Sequence, residues 1–165
     1  MLIQKKIGHI DTYEPANRSL EWLQLEWFEA GKRILRRKTQ AGRELALKFL
    51  VEHTGLTQGD IIYADEQSVI AIEILPCECI VVKPANMFEM ASACYEIGNK
   101  HLPLYFEANC LLVPVELPLF RVLTAQGYAV TIETRKLLQP LKTTVTPHGN
   151  ETLFTRIMKL THSNE

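Results

Sequence analysis

Beyond Pro76 the chain changes its hydrophobic period in an order that few folds accommodate. Cys79-Ile80-Val81-Val82 is a short apolar run that reads as a buried strand. Asn86 with Glu89 three residues on has the logic of a helix cap whose acid reaches back to the start. Met87, Ala91, Cys94 and Gly98 then recur on one helical face, extended by Met90, Ala93 and Ile97, which predicts a helix ending near Gly98-Asn99. Leu102 to Phe106 and Leu111 to Val115 read as strands joined at Glu107-Ala108-Asn109. Pro118 opens a second helix through Leu119, Phe120, Val122 and Leu123, and Gly127 lies past its end. Ala129 to Glu133 is a last strand. The order β-α-β-β-α-β is that of a ferredoxin-like domain.

The residues before Pro76 read as β structure throughout. Leu2, Ile3, Ile7 and Ile10 mark an opening strand, and Leu23, Leu25 and Trp27 alternate with polar residues. Arg33 to Lys38 and Glu44 to Phe49 flank Thr39-Gln40-Ala41-Gly42, a hairpin turn in which glycine supplies positive φ. Further turns at Gln58-Gly59-Asp60 and Ala64 to Gln67 bound a strand at Ile61 to Tyr63, and Val69 to Leu75 closes the half with a polar break at Glu73. Short strands at this spacing predict a small sandwich or barrel. The predicted class is therefore α+β: an all-β domain over residues 1–75, a ferredoxin-like domain over 76–136, and a flexible tail over 137–165 rich in Pro and Thr. Each domain is small enough to bury only about 60% of its unfolded surface, so oligomerisation is expected.

Charge and composition exclude more than they assert. Eighteen basic and 19 acidic residues leave a net charge of −1, giving no global attraction to nucleic acid or anionic membranes. No run approaches the roughly 18 apolar residues of a spanning helix. Residues 1–9 lack the apolar core of a secretory signal, which predicts a cytoplasmic protein. Cys77, Cys79, Cys94 and Cys110 sit in apolar segments, as reduced, buried thiols do. No phosphate-binding glycine loop, GxSxG elbow, HExxH helix or CxxC pair is present, so no enzyme is predicted.

Three constellations remain. Cys77 and Cys79 share one strand face, as a soft-metal pair or as two small hydrophobes, and core packing is the commoner use. Lys32, Arg33, Arg36, Arg37 and Lys38 put five positive charges in seven positions. They guard a strand edge or dock an acidic protein surface, and no aromatic platform interleaves them for single-stranded nucleic acid. Among His9, His53, His101, His148 and His162, His101 leaves the first ferredoxin-like helix, held by rigid structure yet exposed, while His148 sits between Pro147 and Gly149 in the tail.

The run Ala93-Cys94-Tyr95-Glu96-Ile97-Gly98-Asn99-Lys100-His101-Leu102-Pro103-Leu104 resembles the signature segment of the urease accessory nickel chaperones, the UreE family, whose Gly-Asn-[Arg/Lys]-His-x-Pro pattern is met from Gly98 to Pro103. Leu25 to Phe28 and Leu56 to Asp60 also resemble segments of that family's N-terminal half. The resemblance implies a homodimer joined through the second domains, with His101 of each subunit at the interface and tail histidines, His148 first and His162 after it, completing a metal site. It implies Ni²⁺ as the cargo, with Zn²⁺ and Cu²⁺ able to occupy the same ligands, and the urease apoprotein with its maturation GTPase as partners. Val113 to Leu117 lack the additional histidines some members carry there, and no polyhistidine terminus is present, so one metal per dimer is expected rather than bulk storage. The competing expectation is an interaction module without metal, whose β domain binds a peptide strand.

Overall fold

The computed structural model describes residues 1–13, 18–49 and 55–141. The N-terminal half contains β1 (Leu2–Ile3), β2 (Gly8–His9), a 3-10 turn at Ile10–Thr12, β3 (Ser19–Leu25), β4 (Ile34–Lys38), β5 (Glu44–Lys48), β6 (Asp60–Ala64) and β7 (Ser68–Ile74). They form a three-stranded sheet in the order β1-β5-β4 and a four-stranded sheet in the order β2-β6-β7-β3. Leu35, Leu45 and Leu47 of the first meet Leu23, Leu25, Ile70 and Ile72 of the second in one apolar core. The alternation along β3 and β5 thus carries every second side chain inward.

Two expectations for this half need correction. The opening strand is split: β1 pairs with β5 in one sheet, β2 with β6 in the other, because the chain crosses between sheets after Ile3. β3 also ends at Leu25, short of Trp27, whose ring turns edge-on to Tyr105 with centroids 6.2 Å apart. The Thr39–Gly42 hairpin is as read, with Gly42 at φ 85°.

The C-terminal half contains β8 (Cys77–Val82), α1 (Met87–Asn99), β9 (Tyr105–Glu107), β10 (Cys110–Pro114), α2 (Leu117–Ala125) and β11 (Val130–Arg135). Its sheet runs β11-β8-β10-β9, all antiparallel. That is the ferredoxin-like order, in which both helices cover one face. Ile80, Val82, Leu111 and Val113 form that face under Ala93, Ile97, Leu119 and Leu123. Ala108 and Asn109, both at positive φ, make the tight β9–β10 turn. Glu116 caps α2 by accepting from the Leu119 N–H at 2.6 Å, with Pro118 in the first turn.

Across the opposite sheet face runs the segment beyond β11. Leu137 is buried against Cys79, Val81, Tyr105 and Leu112, and Leu141 N–H donates to Leu104 O at 2.8 Å beside β9. Trp27 packs into this same cluster, and Lys136 Nζ reaches Glu73 Oε1 at 3.1 Å. The polar break at Glu73 is therefore a tie between the halves. Gln24 also donates to its carboxylate, and these two partners hold its pKa below the usual carboxylate range.

Candidate metal centre

α1 sets the position of His101. Asn86 Oδ1 accepts from Glu89 N–H at 2.9 Å, and the Glu89 carboxylate accepts from Ala85 N–H at 2.8 Å, so the acid reaches one residue further back than a capping box requires. The first contact satisfies a donor that the first turn of a helix would otherwise leave open, and the second ties down the residue before the cap. The buried face is Ala93 and Ile97, with Met90 and Cys94 packed beside them. The stripe Met87-Ala91-Gly98 is instead exposed, Met87 by 80%. Residues that the sequence places on one face thus separate into two overlapping stripes, and the one with the branched Ile97 is the one that buries its area against the sheet.

The helix ends at Asn99, as its sequence predicts, but neither glycine nor asparagine supplies the left-handed residue at its exit. Gly98 is not in the left-handed region, and Asn99 is still helical; it is His101 that sits at φ 55°. Lys100 N–H donates to Ile97 O at 3.1 Å and His101 N–H to Gly98 O at 2.9 Å, closing the last turn. A residue with a Cβ pays roughly 1–2 kcal/mol for that backbone conformation. Leu102 then anchors the chain by packing against the core beneath the helices, and Pro103 restricts it to extended geometry. The imidazole is thus carried on backbone fixed from both sides while its ring stays exposed. Among the described residues it has no hydrogen-bond or ion-pair partner; the nearby acid Glu96 pairs with Lys100 at 3.6 Å.

One chain does not build a closed site here. Among the described residues no three His, Cys, Asp or Glu side chains gather to hold a metal. His148, His162 and His53 lie outside the described residues. Cys77 and Cys79 gather no third ligand among the described residues. All four cysteines are free thiols, but only Cys79 is fully buried; burial pushes its pKa up to about 11 and raises that of Cys77 as well. Cys79 packs as a small buried side chain, and its Sγ donates to Glu133 O at 3.4 Å.

Beside the His101 corner lies a feature the sequence reading did not isolate. Phe88 and Tyr95, 80% and 73% exposed, stand one above the other on the outer side of α1. With Ala91, Ser92, Glu96, Gln126 and Tyr128 they line an open depression of ≈ 620 Å³. Their i, i+7 spacing is the signal in the sequence that points to them. The basic cluster also divides. Arg37 is clamped on the buried Glu29 carboxylate and Lys38 pairs with Glu44, whereas Arg33 and Arg36 have no acidic partner among the described residues.

Residues 3–75 match the family model for the UreE urease accessory protein N-terminal domain, and residues 77–151 that for its C-terminal domain. The urease accessory protein UreE of Flavobacterium johnsoniae is 42% identical over 163 residues, covering 97% of this chain and 99% of that protein. UreE of Helicobacter pylori is 34% identical over 153 residues, 90% of each chain. UreE of Actinobacillus pleuropneumoniae is 41% identical over 126 residues, 76% of this chain and 67% of that protein. With both halves matched in sequence order and one relative aligned almost end to end, this protein belongs to the UreE urease accessory protein family.

Proposed function

We propose that the protein is a nickel metallochaperone for urease maturation that works as a homodimer, with His101 of each subunit contributing to one shared metal site. The observation that carries this reading is the His101 corner: an exposed imidazole on doubly fixed backbone, at the end of a helix whose outer face is unpartnered and aromatic. Gly98 adds support. Its backbone is not in the left-handed region, and a Cβ built on it would meet nothing within 4 Å, so nothing in the described chain itself requires glycine one turn before His101. A second body approaching closely would require it.

Two imidazoles leave a divalent ion short of its preferred ligand number, and His148, then His162, are the residues proposed to complete the set. Rigid ligands would define where the ion sits, and ligands from the chain terminus would let it be passed on by stepwise exchange. Imidazole binds Cu²⁺ more tightly than Ni²⁺ and also takes Zn²⁺, so delivery of nickel would depend on supply and on docking to the urease apoprotein and its GTPase more than on affinity. Such a protein assists assembly and catalyses no bond change of its own, and its place of action is with cytoplasmic urease assembly. The domain limits 1–75 and 76–136 are proposed as the partner-docking and metal-binding units.

The test is calorimetric titration of Ni²⁺ into wild type and His101→Ala, with molecular mass measured in parallel. Loss of about one site per dimer in a variant that remains dimeric is the expected result. Retention of a tight site in His101→Ala would sink the assignment. Histidine ligation also requires the neutral ring, so nickel affinity is expected to fall as pH drops below about 6.5.

A further inference from the structure

β4 is the outer strand of its sheet, and its open edge is unusually well defined. Phe49 N–H donates to Arg33 O at 2.9 Å and Thr39 N–H to Arg43 O at 3.0 Å, so residues 33, 35, 37 and 39 turn their backbone groups toward β5. By the alternation of an antiparallel ladder, Ile34, Arg36 and Lys38 turn theirs outward. Beyond Lys38 the edge closes, where Gln40 N–H donates to Trp22 O at 3.1 Å. Between Ile34 and Lys38 no described backbone group pairs with that side; the Arg36 carbonyl has only a long 3.5 Å contact from the neighbouring Arg37 guanidinium.

The side chains of the same three residues lie on the outer sheet face, and their chemistry is specific. Ile34 is 69% exposed, an unusual degree for a branched apolar residue on a strand. Register places Lys48 beside Ile34 and Ala46 beside Arg36. The small Ala46 floors a depression of ≈ 420 Å³ between Met1 and Arg36. Arg33, Arg36 and Lys48 have no acidic partner among the described residues, and Lys32 lies over the Phe28 ring at 5.4 Å. An edge bearing unpaired cations resists pairing with a second copy of itself, since like charges would face each other. The same charges favour an incoming strand of opposite sign.

We propose that the open edge of β4 docks an extended acidic segment of a partner protein, added as a further strand beside Ile34–Lys38. The added strand would bond to the outward backbone groups of Ile34, Arg36 and Lys38. It would set a carboxylate opposite Arg36 and an apolar side chain opposite Ile34, with the Lys48 charge one strand further in on the same face. A peptide fits better than nucleic acid, because the outer faces of β4 and β5 carry no aromatic ring on which a base could stack. The site is independent of His101, so its failure leaves the metal reading untouched and the reverse is also true.

The test uses the full chain and a labelled short peptide whose one strand face carries Glu and Val in turn, with Thr at every other position, followed by fluorescence anisotropy. Binding is expected to weaken by about tenfold or more in the double variant Arg36→Glu, Lys48→Glu. N-methylation of alternate amides in the peptide, which leaves its charge intact, is expected to abolish binding. Amide exchange at Ile34, Arg36 and Lys38 should slow in the complex. Equal binding of the N-methylated peptide, unchanged exchange at those three amides, or equal binding of a single-stranded oligonucleotide would each overturn the proposal.

Discussion

His101 combines two demands that usually exclude each other, an exposed ring and a costly backbone. Replacing it with glycine removes the penalty of φ 55° but also the ligand. His101→Gly is therefore expected to be more stable than His101→Ala by about 0.5–1 kcal/mol in denaturant unfolding, while both lose nickel binding. Equal stabilities would show that the backbone at this corner relaxes freely, against a fixed mount for the imidazole. The identity of His101 as the candidate ligand was legible in the Gly98–Pro103 motif. Its left-handed conformation was not, because Gly98 and Asn99 are the residues that ordinarily take that position, and the helix runs through both.

At the level of elements, the turn between β6 and β7 is held by one carboxylate. Asp65 accepts from the backbone N–H of Gln67 and Ser68 at 2.8 and 2.7 Å and from the Tyr63 hydroxyl at 2.8 Å. The Gln67 N–H is the largest cause of a pKa lowered to about 2, followed by the Ser68 N–H and Tyr63. A carboxyl more acidic in the folded state stabilises above its unfolded value, about 3.9, and loses that contribution as pH falls toward 2. Asp65→Asn is thus expected to be less stable than wild type by a constant amount above about pH 4, with the difference shrinking on acidification below it. Urea unfolding across that range measures it, and a gap unchanged at pH 2 would exclude the carboxylate as the cause. The same level shows where periodicity runs out. The sequence places Met87, Ala91, Gly98, Ala93 and Ile97 on one face of α1, and only the sheet beneath it separates the buried Ala93 and Ile97 from the exposed remainder.

For the whole molecule, the decisive contacts join regions that sequence alone keeps apart. Trp27 lies against Tyr105 and the Cys77–Leu137 cluster, and Lys136 bridges to Glu73. If these contacts couple the halves, wild type unfolds in one calorimetric transition and Trp27→Ala in two. Two transitions in wild type already would show that the halves melt independently. The proposed dimer makes a separate demand on the aromatic face of α1. Phe88→Asp with Tyr95→Asp is expected to shift the mass in solution from dimer to monomer and weaken nickel binding without unfolding the chain, since both rings are exposed. A dimer that survives this pair of substitutions places its interface elsewhere.

The succession of strands and helices beyond Pro76, the cap at Asn86 and the hairpin turn at Gly42 were encoded locally, in residue spacing and turn chemistry, whereas the candidate role of His101 came from the resemblance of Gly98–Pro103 to a family motif. Alternation states which side chains face inward but not which strand lies alongside. The parallel pairing of β3 with β7, seven residues in register, therefore emerged only from closure of the core, as did the splitting of the first strand between two sheets. Burial likewise decided among equivalent patterns: it protonates Cys79, selects the Ile97 face of α1, and leaves Phe88, Tyr95 and Ile34 in solvent. Local geometry depends on neighbours in the chain, whereas burial depends on neighbours in space, and only the folded structure supplies those.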